Sequence, residues 1–276
     1  MATQKRVLVW STPRSLSTVL MRALSQLPDS LIIHEFLLLA GWNEVGLPDC
    51  PGDWKANLSD MDTEPGFNIK SWKEMYEQPY PGKSFILGKE ICDGMIGRIM
   101  EMIPEGYTHV FLMRHPSKSI TSLDKALSYF PDDVVRLSMQ KPSFKALADI
   151  YDYVTTTLGQ QAPVVLDAAD LLAKPAEALR LLCEATGMPF SQDLFHWDQL
   201  IGEPPSNWLM PKMMWSNNKD VGLFNSAFQS TCFHSNQATS GAAKEKDAIK
   251  PELQQLIQDA LPYYNYLYEH RLIIPD

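Results

Sequence analysis

The chain has 276 residues, with 24 Lys and Arg against 33 Asp and Glu, which gives a formal net charge of −9. An acidic surface of this kind disfavours broad contact with a phosphate backbone, so we expect no nucleic-acid partner. Hydrophobic residues make up 45% of the chain, an ordinary globular value, and no apolar run approaches the roughly 20 residues needed to span a bilayer. We therefore expect a soluble protein without a membrane partner, built as a single domain over residues 1–276.

The N-terminus and the cysteines favour a cytoplasmic location. The segment MATQKRVLVW leads directly into a strand-like run, without the longer apolar region and small-residue cleavage site of a secretory signal. The four cysteines are scattered and form no CxxC pair, which favours reduced, structural thiols over a disulfide framework or a zinc site. They are Cys50, Cys92, Cys183 and Cys232.

Apolar strand-like runs alternate with helical stretches along the first 190 residues. The first part is predicted as a strand at Arg6 to Trp10, a helix at Ser17 to Leu27, strands near Ile32 and Ile86, and a helix at Asp93 to Ile103. The second part is predicted as a strand near Phe111, helices at Pro116 to Leu127 and Ser143 to Leu158, a strand near Val165, and a helix at Pro175 to Gly187. This order predicts an α/β fold, a central parallel sheet with helices on both faces.

Two long segments interrupt the alternation. Residues 40–82 are rich in Pro, Gly and Trp, and residues 192–243 carry many aromatic side chains among few charges. Because connections of this length are usually functional, we expect both to be irregular and to cover a site at the carboxyl edge of the sheet. A closing helix is predicted over residues 244–270, broken or kinked at Pro262.

The turn after the first strand has the composition of an anion site. Its sequence STPRSLST leads from a strand into a helix start, where backbone N–H groups and the helix dipole favour negative charge. Arg14 would add a cation, and Ser15, Ser17 and Thr18 would add hydroxyl donors, which suits a phosphate or sulfate. The same composition also occurs at ordinary capped helix starts that carry a surface arginine.

This turn is not a standard nucleotide motif. It lacks the GxxxxGK[ST] pattern, because Leu16 precedes Ser17 and no glycine is present. The chain also has no GxGxxG, so the dinucleotide fingerprint is missing. A nucleotide triphosphatase is therefore disfavoured, while a relative of the P-loop fold stays open.

A second polar turn follows the strand near Phe111. Arg114 leaves the end of that strand, and Ser122 lies about two turns into the next helix, whose start is marked by Pro116. Both side chains could reach one further anion, although arginine at a strand end is common. Two separate anion sites on neighbouring strand ends form a pattern that purely structural roles explain poorly.

The two turns together resemble the sulfotransferases that use 3′-phosphoadenosine 5′-phosphosulfate (PAPS). The sequence TPRSLST is similar to the 5′-phosphosulfate loop of that family, and Arg114 with Ser122 is similar to its 3′-phosphate motif. Arginine in the first loop is more similar to the carbohydrate and bacterial-type members than to the cytosolic ones. The resemblance extends from about Arg6 to Phe190. The RKG-type element of the cytosolic members is not found. Trp215 and Lys219 are left as weak candidates for the contacts to the adenine and the 3′-phosphate that this element makes in those members.

The resemblance implies PAPS as co-substrate, adenosine 3′,5′-bisphosphate (PAP) as product, and no metal. It assigns the 3′-phosphate to Arg114 and Ser122. It assigns the 5′-phosphosulfate to Pro13, Arg14, Ser15, Leu16, Ser17 and Thr18.

Three further residues are candidates for catalysis. Some relatives place a catalytic glutamate at the end of the second strand, where Glu35 stands, and His34 beside it is the rival base. Alternation along a strand would send these two side chains to opposite faces, so we expect one of them to face the site. Lys89 matches a lysine that approaches the transferring group in relatives. Its alternative interpretation is a salt bridge with Glu90 or Asp93.

The remaining polar and aromatic residues indicate no other chemistry. The dispersed histidines lack the companion ligands of a zinc site, so we predict no metal. Aromatic side chains that could line an acceptor pocket, but are more often core residues, are Phe36, Trp42, Trp54 and Trp72.

We therefore expect a sulfotransferase that acts on a hydroxyl or amine of a small-molecule acceptor, with Glu35 as base and Arg14 and Lys89 stabilising the transferring group. The alternatives are a P-loop-type small-molecule kinase and a noncatalytic nucleotide-binding relative. A local group of cations near the proposed strand ends or their helices is expected to offset the acidic surface. Its members are Lys5, Arg6, Arg14, Arg22, Lys89, Arg114 and Lys118.

Overall fold

The computed structural model describes residues 4–45, 66–128, 130, 132–212, 214–215, 223–233 and 249–275. Its centre is a six-stranded sheet in which every pair of neighbouring strands is parallel, in the order β5-β4-β1-β3-β2-β6. The strands are β1 (Lys5–Ser11), β2 (Ser30–His34), β3 (Phe85–Ile91), β4 (Thr108–Met113), β5 (Val164–Asp167) and β6 (Trp208–Leu209). The predicted α/β class and parallel sheet are confirmed.

Helices connect and cover these strands. The first half contains α1 (Ser17–Leu24), α2 (Phe36–Val45), α3 (Ile69–Glu77), α4 (Pro116–Leu127) and α5 (Asp132–Met139). The second half contains α6 (Ser143–Thr156), α7 (Ala168–Ala173), α8 (Pro175–Thr186), α9 (Asn225–Phe228) and α10 (Pro251–Glu269). Of these helices, none combines the length and the apolar content that crossing a bilayer requires.

The sheet is buried on both faces because most side chains in the middle of its central strands are apolar. On β1, Leu8 and Trp10 pack into one core with side chains of α2, α3, α6 and α10. Val7 and Val9 point the other way and pack with α1 and α8. Alternating side chains of a parallel strand thus feed two separate cores, and the predicted helix layers lie on both faces.

The predicted helix at Asp93 to Ile103 is wrong. The structure has two short 3₁₀ helices there, Cys92–Met95 and Met100–Met102. Gly97 between them has φ 76, a left-handed conformation that ends a right-handed helix. The apolar residues that suggested helical spacing are partly exposed, since Ile99 is 65% exposed.

Other boundaries differ less. The first helix ends at Leu24 rather than Leu27, shortly before Pro28. Residues 40–82 contain the end of α2 and all of α3, so the part of that segment that the structure describes is more regular than expected. The described part of residues 192–243 is largely irregular as predicted, with only short elements. The last helix begins at Pro251 and continues unbroken through Pro262, while the start predicted for it lies partly outside the described residues.

The strand order brings the predicted polar turns to one place. In a parallel sheet all carboxyl ends lie at the same edge, and β1 lies between β3 and β4. The turn after β1, the end of β2, the end of β3 and the turn after β4 therefore meet. This edge is where the candidate site forms.

Candidate active site

The turn after β1 is shaped by its own backbone. Arg14 and Leu16 have φ of 63 and 72, an unusual left-handed conformation for residues other than glycine. Leu16 is the N-cap of α1 and provides no side-chain hydrogen bond to the first turn of that helix. The Ser15 hydroxyl is buried and donates to Thr12 O at 2.8 Å, so it closes the turn from inside. Its neighbours Ser17 and Thr18 line the cavity in front of the helix.

The two predicted anion motifs contact each other directly. Arg14 Nε donates to Ser122 Oγ at 3.2 Å, and Arg114 Nη1 donates to Arg14 O at 3.2 Å. Arg14 Nη1 also donates to Leu223 O at 2.7 Å. Arginine and serine from separate turns thus form one polar surface.

Both guanidinium groups of this surface are partly desolvated. Burial lowers the pKa of Arg14, and the neighbouring Arg114 charge lowers it further. Burial also lowers the pKa of Arg114, while Asp167 acts in the opposite direction. Among the residues that the structure describes, no carboxylate lies within ion-pair distance of either guanidinium. Two adjacent cations without a paired carboxylate favour an anionic ligand.

Glu35 and Lys89 form a buried ion pair at the ends of β2 and β3. Their backbones are also joined, because Glu35 N donates to Lys89 O at 2.8 Å and extends the pairing of the two strands. Burial lowers the pKa of the Lys89 ammonium to about 7, and the Glu90 charge acts against that shift. Lys89 therefore pairs with Glu35, and not with Glu90 or Asp93 as its alternative interpretation had it.

His34 lies beside this pair, as the register neighbour of Lys89 across the β2–β3 pairing, and makes contacts of its own. Its side chain is fully buried, its Nε2 lies 3.3 Å from Thr18 Oγ1, and its ring stacks on Trp208 and meets the edge of Phe224. Burial and the Lys89 charge lower its pKa well below the ordinary value, so the ring is neutral. The structure thus brings Glu35 to the cavity and uses His34 to support the first turn of α1.

Three cavities adjoin at this edge. The central one has a volume of about 350 Å³ and is lined by Arg14, Glu35, Lys89, Arg114 and Ser122, among others. An open groove of about 550 Å³ shares Arg14, Arg114 and Ser122 with it. A third cavity, of about 540 Å³, shares Pro13, Leu123, Ser138 and Lys141 with the central one. The site is therefore a central chamber with a compartment on either side.

The groove is basic, and this was only partly predicted. Its described lining includes the cations Arg14, Arg114, Lys118 and Lys125 and contains no acidic residue. Lys125 could have been found from the sequence, because it lies seven residues after Lys118 and therefore on the same face of α4. We name this surface the basic groove.

Asp93 and Lys141 also line the central cavity and were missed as site residues. Burial raises the pKa of Asp93, while a hydrogen bond from Ser143 and the Lys141 charge oppose the shift. The signal for Asp93 was its place just beyond β3, four residues after Lys89, but the segment was interpreted as helix.

Three members of the predicted cation group do not line the site. Lys5 and Arg6 lie at the opposite end of β1, where Arg6 donates to Tyr76 O and Gln78 O, so they do not belong to the cation group at the site. Arg22 donates to Asp198 O, away from the cavity. The predicted cation group is therefore wrong for these three residues. Lys5 and Arg6 begin β1, at the sheet edge opposite the site, and the side chain of Arg22 leaves α1 in another direction.

Other candidates lie in the core or outside the described residues. Phe36 and Trp72 are core residues, and the described cavities do not include them in their lining. Trp215 donates to Gly202 O and packs on Phe228. Lys219, Trp54, Cys50 and the side chain of Trp42 lie outside what the structure describes. Cys92, Cys183 and Cys232 are free thiols. The lack of a metal stays a prediction.

Comparison with known proteins identifies the family of the chain. The profile of the sulfotransferase domain family matches residues 5–270. "Sulfotransferase ppzF" of Metarhizium majus is 28% identical over 179 residues, which cover 59% of this chain and 52% of that protein. "Branched-chain-amino-acid aminotransferase-like protein 2" of Arabidopsis thaliana is 27% identical over 262 residues, which cover 95% of this chain and 41% of that protein.

This chain thus spans about half the length of these two relatives or less. The aminotransferase activity that the second name suggests is not ascribed to this chain. Among solved structures, the "Sulfotransferase Domain from the Curacin Biosynthetic Pathway" aligns with a TM-score of 0.51 at 16% identity. The alignment covers 94% of this chain and 98% of that domain. At this identity the likeness shows the fold alone.

Proposed function

Because the chain belongs to the sulfotransferase domain family, we propose that it transfers a sulfuryl group from PAPS to a hydroxyl or amine of a small organic acceptor. The observation that carries this proposal is the contact between the turns after β1 and β4, where Arg14, Arg114 and Ser122 form one polar surface beside the Glu35–Lys89 pair. A cation surface and a base are the two parts that such a reaction needs.

The donor is proposed to lie across the central cavity and the basic groove. Its 5′-phosphosulfate binds the turn after β1 at Arg14, Ser17 and Thr18, which line the central cavity at the start of α1. Its 3′-phosphate binds Arg114 and Ser122, which line both compartments. The extra cations of the groove favour a ligand with two separated anionic groups.

The transfer proceeds in line. The acceptor oxygen or nitrogen forms a bond to sulfur, and the bond between sulfur and the bridging oxygen breaks, so that its electron pair leaves with the 5′-phosphate of PAP. The acceptor proton passes to Glu35. Lys89 and Arg14 stabilise the charge that develops on the leaving oxygen and on the transferring group.

The acceptor is proposed to occupy the third cavity. This compartment joins the central cavity through Pro13, Leu123, Ser138 and Lys141, on a different side from the basic groove. A molecule bound there would present its hydroxyl or amine to the central cavity, where Glu35 lies. Independence from metal and a cytoplasmic location stay predictions from the sequence.

The experiment is isothermal titration calorimetry of PAP. ATP and adenosine 5′-monophosphate are titrated as control ligands, and each titration is run with and without magnesium. We expect micromolar, metal-independent binding of PAP that requires the 3′-phosphate. Arg114→Ala should weaken it at least about tenfold, because a charge-assisted hydrogen bond contributes about 1.5–3 kcal/mol.

The matched control is Arg180→Ala, which removes a surface arginine on α8 paired with Glu177 and Glu184. It should leave PAP binding unchanged. A preference for magnesium-ATP would replace the proposal with a small-molecule kinase. Binding of PAP without any transfer from PAPS to a panel of hydroxyl and amine acceptors would favour a noncatalytic relative.

A further inference from the structure

Directly behind the Glu35–Lys89 pair, on the other face of β3, lies a buried carboxylate that the proposed reaction does not use. Glu90 is fully buried. Its Oε1 accepts hydrogen bonds from Trp72 Nε1 at 2.9 Å and Tyr76 OH at 2.8 Å, and its Oε2 accepts one from Leu37 N at 3.0 Å. The carboxylate therefore joins β3 to α3 and to the first turn of α2.

This connection has a cost that an apolar residue would avoid. Burial raises the pKa of Glu90 to about 7, against the three hydrogen bonds that favour the ionised form. Replacing a buried charge by a well-packed apolar side chain is often neutral or stabilising in proteins. Stability alone is thus a weak reason for a glutamate at position 90. The location of its hydrogen-bond partners indicates another role.

The hydrogen bond from Leu37 N to Glu90 is informative because Glu35 lies two residues before Leu37. Glu35 has φ 61, a left-handed conformation that a glutamate rarely adopts and that the surrounding structure has to hold. On one side of this strained residue, Glu35 N donates to Lys89 O. Two residues later, Leu37 N donates to the Glu90 side chain. Successive residues of β3 thus hold the backbone before and after the turn.

We propose that Glu90 is a positioning residue for Glu35. By accepting the Leu37 N–H, it fixes the first turn of α2 and so holds the left-handed turn that directs the Glu35 carboxylate to Lys89 and into the central cavity. Glu90 acts from the opposite face of the sheet and does not touch substrate. The inference rests on the proposed function, since it assigns Glu90 an effect on the base of that reaction.

Two glycines show that this arrangement depends on close approach. A Cβ on Gly94 would lie 2.4 Å from Leu37 Cγ, and a Cβ on Gly88 would lie 2.3 Å from Tyr76 Cε1. Both distances are shorter than real Cβ contacts allow. Glycine at position 94 therefore lets the start of α2 approach the 3₁₀ helix after β3, and glycine at position 88 lets the ring of Tyr76 approach the strand that carries Glu90.

Glu90→Gln tests the proposal because it breaks one contact selectively. The amide oxygen can keep both Trp72 and Tyr76 as donors, which turns the amide NH₂ toward the Leu37 N–H, where it cannot accept. We expect kcat for sulfuryl transfer to fall at least about tenfold, while the KM for PAPS and the Kd for PAP stay within about twofold. A loss confined to kcat is expected when the base is misdirected and the donor site is intact.

The matched control is Tyr107→Phe, which removes another buried hydrogen bond of the same region, from Tyr107 OH to Tyr76 O, without touching Glu90. Tyr107→Phe should lower the melting temperature about as much as Glu90→Gln does, and it should leave kcat within about twofold of the unmodified protein. In the double variant with Glu35→Gln, Glu90→Gln should slow transfer no further, because the base it positions is already gone.

The outcomes separate this inference from the proposed function. No transfer by the unmodified protein would refute the proposed function. An active protein that needs Glu35 but keeps its kcat in Glu90→Gln, or that loses the same factor in the Glu35→Gln background, would overturn the positioning role. If Glu90→Gln does not fold at the assay temperature, Glu90→Asp takes its place. Its carboxylate is one methylene too short to serve Leu37 and Trp72 together, and an unchanged kcat would overturn the proposal.

Discussion

The Glu35–Lys89 ion pair concentrates two opposite charges at a nearly dry point of the molecule. Lys89 is 1% exposed and Glu35 is 5% exposed. Neither charge is well solvated, so each depends on the other, and removal of one leaves a buried charge without a partner. This mutual dependence is why a conservative amide is a better probe of Glu35 than alanine.

Glu35→Gln is expected to lower kcat by about 10²–10⁴, the range that general bases contribute, because the amide cannot take the acceptor proton. The Kd for PAP should change by less than about threefold, since Arg14, Arg114 and Ser122 are untouched. Steady-state kinetics together with calorimetry measure both quantities. Transfer at the rate of the unmodified protein would show that Glu35 is not the base.

The control for this experiment is Glu44→Gln on α2, the helix that follows Glu35. Glu44 pairs with Arg98 and accepts from Ile69 N, and the three described cavities do not include it in their lining. It removes a glutamate charge of α2 without altering the site. Equal losses in the two variants would indicate a general effect on α2 and would argue against a specific role for Glu35.

Single residues at the site were predictable to different degrees. The proximity of Arg14, Arg114 and Ser122 could be predicted because they follow the ends of neighbouring strands. Glu90 could not, since its partners Trp72 and Tyr76 lie in a segment whose sequence is rich in Pro, Gly and Trp and which was expected to be irregular. Alternation predicted opposite faces for His34 and Glu35, but Glu35 follows the strand in a left-handed turn and pairs with Lys89, the register neighbour of His34.

At the level of elements, the packing of α3 on β3 depends on one glycine in the middle of the strand. Gly88 pairs with Leu8 on β1 and Ile33 on β2, so it occupies a central position in the sheet. The Tyr76 ring fills the space that a side chain would take. Glycine in a strand interior often marks such a close approach.

Gly88→Ala should therefore destabilise the protein by about 1–3 kcal/mol, the usual cost of overpacking, and should lower kcat if the displaced Tyr76 disturbs Glu90. Chemical denaturation measures the loss of stability. The matched control is Gly41→Ala within α2, where the added Cβ would lie 3.6 Å from the nearest atom, an ordinary contact. There we expect no loss or a gain of up to about 1 kcal/mol, because alanine favours helix. Equal stability of the two variants would contradict the account of Gly88.

Elements were predictable where sequence signals agree with tertiary packing. The helix at Pro116–Leu127 has both the proline at its first position and a buried stripe, and its predicted bounds are confirmed. The segment after β3 has apolar residues at helical spacing but also two glycines and exposed isoleucines. Cys92, Met95 and Ile103 pack into the core, but the left-handed Gly97 and the exposed isoleucines between them interrupt that face. Local apolar spacing therefore predicted a helix that the tertiary structure does not support.

At the scale of the whole molecule, the net charge and the site charge have opposite signs. The chain carries a net −9, whereas the basic groove presents Arg14, Arg114, Lys118 and Lys125 with no acidic residue in its described lining. Charges separated by more than about 10 Å are largely screened at moderate salt, so a bound anion experiences mainly the groove. A polyanionic donor is thus compatible with an acidic protein.

This separation of local from distant charge predicts how PAP binding responds to salt. Raising NaCl from about 50 to about 300 mM should weaken binding several-fold, because the exposed cations of the groove are screened while the partly buried arginines are screened less. Lys118→Ala should weaken binding at low salt and reduce the dependence on salt, since it removes an exposed cation of the groove. Lys70→Ala, which removes an exposed lysine of α3 paired with Glu74, should change neither. If the acidic surface dominated instead, added salt would strengthen binding, because it would screen the repulsion between the protein and the anion, and Lys70→Ala would weaken binding as much as Lys118→Ala.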